Sequence, residues 1–289
     1  MNILTFHLED WFHRVGIPAA DDISKWDSFP SKVENYAKFL MDFLEERNQK
    51  ASFFVLGWTA NKYPHLVKEL IEKGHEIAVH SYNHQLIYKM DRQTFREDTK
   101  RAVSTIEDIS GIKMRYYRAP GYSAMGGYNW FFEELAECGL EGDSSIFTAA
   151  RSHGGSRIFP ANKPCIVQYK GNRIKEFPIS SNNFLGLRFV YSGGEYFRLF
   201  PYPIIKMLTS KTDYTMAYFR LREFDKSQPH LRGLGPLRLL TTYLGLGTNK
   251  EKLSKWIKDF RFITLGEANN MINWEEVNVV NLTPVNKIN

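Results

Sequence analysis

Two rhythms of apolar residues alternate along the chain, short unbroken runs and longer stretches at helical spacing. Residues 2–6 form a short apolar run that predicts a buried strand, and Trp11, Phe12 and His13 follow in an aromatic loop. Pro30-Ser31-Lys32-Val33-Glu34 reads as a capping box, and Val33, Tyr36, Leu40, Phe43 and Leu44 recur as the buried stripe of a helix ending near Gln49. A second apolar strand is predicted over 51–57, a helix over 63–73 stopped by Gly74, and a third strand at Ile77-Ala78-Val79. That strand runs into His80-Ser81-Tyr82-Asn83-His84, and Asp91 then caps a helix carrying Phe95, Ala102, Ile106 and Ile109 up to Gly111. A strand at 115–117, a helix around 128–138 and a short strand before Asp143 continue the pattern.

Such alternation predicts an α/β fold, a parallel sheet with helices outside it. Beyond residue 150 the pattern loosens. Residues 152–156 read as loop, and Lys170-Gly171-Asn172 as the turn of a hairpin. A helix holding Pro201 and Pro203, a strand at 214–219, helices near 234–243 and 250–260, and a last strand at 262–265 complete the reading. With no repeat, low-complexity tract or linker, residues 1–289 are expected to be one domain, with 278–289 a loose tail.

Composition narrows the function classes. The 38 basic and 32 acidic side chains leave a net charge of +6, spread along the chain and broken by carboxylates, which argues against a nucleic-acid footprint. No run of 18 apolar residues predicts a membrane span, and the first residues lack the pattern of a secretory leader. Cys138 and Cys165 are far apart and outside any Cys-x-x-Cys pair, so neither a disulfide framework nor a thiolate zinc site is signalled. These features predict a reducing, cytoplasmic setting.

The candidate chemistry lies where strands end. His80 and His84 have the i, i+4 spacing that puts two imidazoles on one face of a helical turn. With 8 histidines in the chain, chance supplies about 0.2 such pairs, so the spacing alone also fits two polar surface histidines. His7 and Glu9 lie two apart and project to one side if the first strand stays extended, with Asp10 opening the loop. A carboxylate and two histidines from two strand ends suit a divalent-metal site with open positions, although Glu9 and Asp10 equally suit a solvated loop entry. Arg118, in Arg118-Ala119-Pro120-Gly121-Tyr122, would reach the same rim and can orient a carboxylate, and Asp143-Ser144-Ser145 is either part of the site or a turn.

In order and spacing, these segments resemble the polysaccharide deacetylase superfamily, the NodB-homology domain, and within it the allantoinase-like, exosortase-associated branch. The matching text is Leu4-Thr5-Phe6-His7-Leu8-Glu9-Asp10-Trp11-Phe12, Ser52-Phe53-Phe54-Val55-Leu56-Gly57, Gly74-His75-Glu76-Ile77-Ala78-Val79-His80-Ser81-Tyr82-Asn83-His84 and Tyr117-Arg118-Ala119-Pro120. It continues through Asp143-Ser144-Ser145-Ile146-Phe147, Glu176-Phe177-Pro178, Gly193-Gly194-Glu195-Tyr196-Phe197-Arg198-Leu199 and Tyr218-Phe219-Arg220-Leu221-Arg222-Glu223-Phe224-Asp225. The resemblance implies a distorted (β/α)7 barrel and metal-dependent hydrolysis of the N-acetyl groups of an amino-sugar polysaccharide or its precursor. By it, His80, His84 and Glu9 are the metal ligands, with Asp10 the fallback carboxylate, and zinc is the first choice, with cobalt, nickel, manganese and iron also fitting. His7, Asp10, Arg118 and Arg220 become the catalytic candidates, Arg118 orienting the base, while Trp11 and Tyr122 line the sugar pocket.

Two departures stand against the matches. Where the family has an aspartate general base this chain has His7, and where it has a histidine general acid followed by proline this chain has Arg220-Leu221. A neutral imidazole can act as base, but a guanidinium does not release its proton at accessible pH. Three readings stay open: a deacetylase with an altered proton relay, a non-catalytic relative that binds a glycan or partner, and a hydrolase of another C–N bond. His7 is also open as a fourth ligand that would close the coordination sphere.

Overall fold

The computed structural model describes residues 1–16, 22–124, 127–149, 158–184, 187–229 and 235–283. Strand β1 (Asn2–Leu8) is followed by helix α1 (Val33–Glu45), β2 (Ser52–Val55), α2 (Gly57–Lys62), α3 (Pro64–Glu72) and β3 (Glu76–Val79). Then come α4 (Arg92–Ser110), β4 (Tyr116–Tyr117), α5 (Trp130–Glu137), β5 (Gly142–Asp143), β6 (Cys165–Tyr169) and β7 (Asn172–Glu176). A separate hairpin of β8 (Ser181–Phe184) and β9 (Leu187–Val190) precedes α6 (Gly194–Leu199), α7 (Tyr202–Ser210) and β10 (Thr215–Arg220). The chain ends with α8 (Pro236–Tyr243), α9 (Leu246–Asp259), β11 (Phe262–Ile263), α10 (Leu265–Met271) and β12 (Asn278–Asn281).

Seven strands run parallel in the order β10-β1-β2-β3-β4-β5-β7, the staves of a distorted (β/α)7 barrel. The seam between β7 and β10 is joined without a ladder. Tyr214 Oη donates to the Pro178 carbonyl (2.9 Å) and the Met216 amide donates to Ser180 Oγ (2.7 Å), and Gly193 bridges Tyr218. A Cβ at Gly193 would stand 2.0 Å from the Tyr218 carbonyl oxygen, which is why the seam has glycine there.

Strand alternation sorts the side chains. Leu4, Phe6 and Leu8 of β1 join the large cluster under the outer helices, whereas Ile3 joins Phe54, Ala78, Met216 and Tyr218 inside the barrel. Leu265 and Ala268 of α10 belong to that inner cluster. Thr5, His7 and Glu9 follow the parity of Ile3, so a polar column rises inside the barrel toward its carboxyl end.

Several expected elements take another form. Asp10, from 22 residues upstream, supplies the start of α1: its carboxylate accepts from the Lys32 and Val33 amides and from Ser31 Oγ, so Ser31 is not the cap. The helix expected over 63–73 begins afresh at Pro64 after α2, because proline needs no amide partner at a first turn. Pro201 likewise parts α6 from α7. Asn278–Asn281 is not tail but a strand paired with β6, and the hairpin turn at Lys170-Gly171 is as expected. The loop expected over 152–156 and the end of the tail, 284–289, lie outside the described residues.

Candidate active site

Four strand ends meet at the carboxyl rim. Glu9 follows β1, His80 follows β3, Arg118 follows β4 and Arg220 ends β10, the first three buried and Arg220 partly so. His84 Nε2 lies 2.9 Å from Glu9 Oε2 and His80 Nε2 lies 3.7 Å from the same oxygen. Glu9 Oε1 faces Arg220 Nε at 3.1 Å. The carboxylate thus presents one oxygen to two imidazoles and the other to a guanidinium. Burial alone would push the Glu9 carboxyl up, but the adjoining His84 and His80 imidazoles and the Arg220 guanidinium together hold it well below the usual range.

His80 Nδ1 sits 2.6 Å from the Arg118 carbonyl oxygen and therefore carries the hydrogen, leaving Nε2 bare and buried. Burial lowers its pKa to about 4, so the ring stays neutral. A buried, deprotonated imidazole nitrogen 3.7 Å from an ionised carboxylate, with no proton of its own to give that carboxylate, is the donor chemistry of a divalent cation site. Zinc and its neighbours fit this nitrogen and oxygen set.

His80 and His84 do not share a helical turn as their spacing suggested. Ser81 and His84 have positive φ (64° and 53°), and Asp98 of α4 holds the turn by accepting from Ser81 Oγ and the Tyr82 and Asn83 amides. Asp98 was not legible as part of the site, because a carboxylate on an amphipathic helix gives no sign that a loop folds onto it.

His7 stands beside this cluster, its ring centroid 4.4 Å from that of His80, and the ligand atoms of His7, Glu9 and His80 all lie within 4.8 Å of one another. Arg118 Nη1 approaches His7 Nε2 at 3.2 Å, so that nitrogen is the acceptor and the neutral ring keeps its hydrogen on Nδ1, a buried atom without a partner. Burial, then His80, Arg118 and Arg220, depress protonation of His7 far below the ordinary histidine range. Among the described residues Arg118 pairs with no carboxylate; it also donates to Thr5 Oγ1 and to the Ser144 carbonyl and hydroxyl.

Three sequence candidates are placed elsewhere. Asp10 points away from the histidines and serves the start of α1. Trp11 donates its indole hydrogen to the Pro30 carbonyl and packs against Phe12 and Phe29 in the core. Tyr122 is fully buried against Phe147 and Tyr218, its hydroxyl 3.4 Å from His7 Nε2, inside the barrel and not at a sugar-facing rim. A cavity of about 220 Å³ lined by His13, Arg14, Trp26, Asn83, His84 and Lys89 meets the Glu9–His80–His84 cluster at His84. His13, read only as part of an aromatic loop, is buried on its wall and accepts from the Asp10 amide through Nδ1.

Below Arg118, Asp143 and Glu176 face each other across β5 and β7, both fully buried. Burial and mutual repulsion push Glu176 well up, and burial pushes Asp143 up to about 6. A raised carboxyl pKa means stability present below the ordinary range, near 4.5, and lost as pH climbs through 6. Replacing Glu176 with Gln removes the Glu176 share of that loss: the stability of the variant relative to wild type, from urea midpoints, is expected to rise between pH 5 and 8.

Residues 22–140 match the polysaccharide deacetylase family. That stretch resembles polysaccharide deacetylase domains. It contains His80, His84 and Arg118, and residues 144–270, including Arg220, match a domain of unknown function, DUF3473. Over 81 residues the chain is 31% identical to a peptidoglycan-N-acetylglucosamine deacetylase of Bacillus cereus, covering 28% of this chain and 30% of that one. Over 95 residues it is 25% identical to chitin deacetylase 1 of Cryptococcus neoformans, covering 33% and 20%. The chain thus spans a third or less of these relatives. A solved structure described as a polysaccharide deacetylase from Mycobacterium smegmatis shares the fold with a TM-score of 0.64 at 17% identity, covering 97% of this chain and 92% of that one. These matches do not single out the allantoinase-like, exosortase-associated branch.

Proposed function

We propose that the chain is a metal-dependent deacetylase-type protein for N-acetylated amino-sugar glycans, in which the metal-holding half of the site is kept and the proton-transfer half is replaced. The observation that carries this reading is the convergence of Glu9 Oε2, His80 Nε2 and His84 Nε2 with the His80 tautomer fixed by Arg118. Glu9, His80 and His84 would hold the ion, which when bound supplies Lewis-acid polarisation of an acetyl carbonyl and of water.

The remaining groups supply little acid–base chemistry. His7 Nε2 already accepts from Arg118, and its other nitrogen bears the hydrogen, so neither is poised to take a proton from water. Arg220 keeps its proton; Glu9 and Glu223 hold the guanidinium pKa above its ordinary value against the effect of burial. It neutralises Glu9 and can stabilise developing negative charge, but it cannot protonate a leaving amine. Loss of a general acid or base lowers rates by roughly 10²–10⁴-fold each, so turnover is residual and glycan binding is the larger activity.

Acetate release from N-acetylglucosamine oligomers, followed with and without a chelator alongside oligomer binding, tests the proposal. Saturable binding with slow, chelator-sensitive release is expected. Chelator-insensitive release, or neither release nor binding, would overturn it.

A further inference from the structure

A surface remote from this chemistry carries its own signal. Ten large hydrophobic residues are conspicuously exposed among the described residues, and six of them, Leu199, Ile204, Met207, Leu239, Leu240 and Leu244, fall between α6 and the end of α8. They do so on elements that the structure ties together. Arg198 Nη1 donates to the Thr242 and Leu244 carbonyls and Nη2 to the Thr241 carbonyl, fastening the end of α8 to α6. A Cβ at Gly245 would stand 2.7 Å from the Arg198 carbonyl oxygen, so Leu199 and Leu244 adjoin two backbones in contact. Leu240 lies one turn before Leu244, whose amide donates to the Leu240 carbonyl. Helix α7, which carries Ile204 and Met207, starts three residues after Leu199.

Charge follows the same segment. Residues 194–259 hold 12 basic and 6 acidic side chains, a net of +6, which equals the net charge of the whole chain and leaves the remainder neutral. Buried arginines account for part of it, but Lys206, Lys211, Lys255 and Lys258 of the α7 and α9 region are exposed. Helices α7 and α9 are laid side by side by Tyr202 Oη, which donates to the Lys255 carbonyl and the Asp259 carboxylate. No helix among the described residues is long and apolar enough to cross a membrane. Exposed leucines beside lysines, on helices that cannot span, have the chemistry of a surface that lies in the headgroup layer of an anionic bilayer.

We propose that the α6–α8 face docks on an anionic lipid surface, inserting Leu199, Leu240 and Leu244 while the lysines of α7 and α9 meet acidic headgroups. A hydrophobic partner protein would explain the leucines but not the charge excess confined to the same segment. Glu195, which pairs with the cavity-lining Arg14 (3.0 Å), sits on the same short helix as Leu199.

Flotation of the full chain with vesicles of phosphatidylcholine and phosphatidylglycerol (7:3) tests this, against phosphatidylcholine alone and with rising salt. Binding to the anionic vesicles is expected, weakened at least tenfold by omitting phosphatidylglycerol, by 0.5 M salt, and by Leu240→Ser with Leu244→Ser. Both leucines are exposed, and an unchanged thermal midpoint of the double variant confirms that its fold is intact. Failure to float with anionic vesicles at low salt, equal binding by the double variant, or a lipid-free dimer abolished by the same substitutions would overturn the proposal; the last result would assign the face to a second copy of the chain.

Discussion

His7→Asp combined with Arg220→His is expected to raise acetate release from N-acetylglucosamine oligomers by at least about 10²-fold, with metal content unchanged. The reason is local. Arg118 Nη1 now spends a hydrogen bond on His7 Nε2 at 3.2 Å, and an aspartate there would give that guanidinium an anion to orient and water a carboxylate base. Position 220 lies against Glu9 and Glu223, and a histidine flanked by carboxylates is favoured in its protonated, proton-donating form. Either substitution alone leaves one transfer unassisted and is expected to gain less than the pair. No gain from the pair would show that the missing relay is not what limits the site.

Glu9→Gln is expected to cost both metal and stability. The amide cannot replace the anionic ligand oxygen, so metal affinity should fall by well over tenfold. It also leaves the Arg220 guanidinium, mostly buried in this rim, with Glu223 at 3.5 Å as its remaining ion pair among the described residues, and removing one partner of a largely buried pair costs on the order of 2–3 kcal/mol. Urea unfolding read beside metal content separates the two effects: adding Arg220→Met to Glu9→Gln should recover much of the stability and none of the metal. Loss of metal without loss of stability would mean that Arg220 is not balanced by Glu9.

Much of this arrangement was legible in the chain because parallel α/β folds put strand ends on one rim. The period-2 parity of β1 fixed His7 and Glu9 on a common inward face, and the apolar run of β3 delivered His80 to its neighbour. The seven-strand count came from the family resemblance and is met by β10-β1-β2-β3-β4-β5-β7. What escaped depends on contacts that sequence distance conceals. Asp10 looked like a site carboxylate but is consumed by backbone amides 22 and 23 residues away, and Trp11 and Tyr122, aromatic residues beside a rim, proved to be packed inside. The Asp98 brace comes from loop geometry with positive φ at Ser81 and His84, which local propensity does not announce. The pairing of Arg220 with Glu9 changes the meaning of a substitution from a missing acid to a resident counter-charge, and only the register His7↔Arg220 between β1 and β10 reveals it.

The most direct test of the central claim is a zinc titration of the purified chain by calorimetry, with the bound ion counted by mass spectrometry, on wild type and His7→Ala. One divalent ion per chain in both proteins, with similar affinity, is predicted, since His7 spends its acceptor nitrogen on Arg118. A wild-type chain that takes up no ion, or a His7→Ala variant that loses it as completely as Glu9→Gln, would contradict the account, the latter by making His7 a ligand of a closed site.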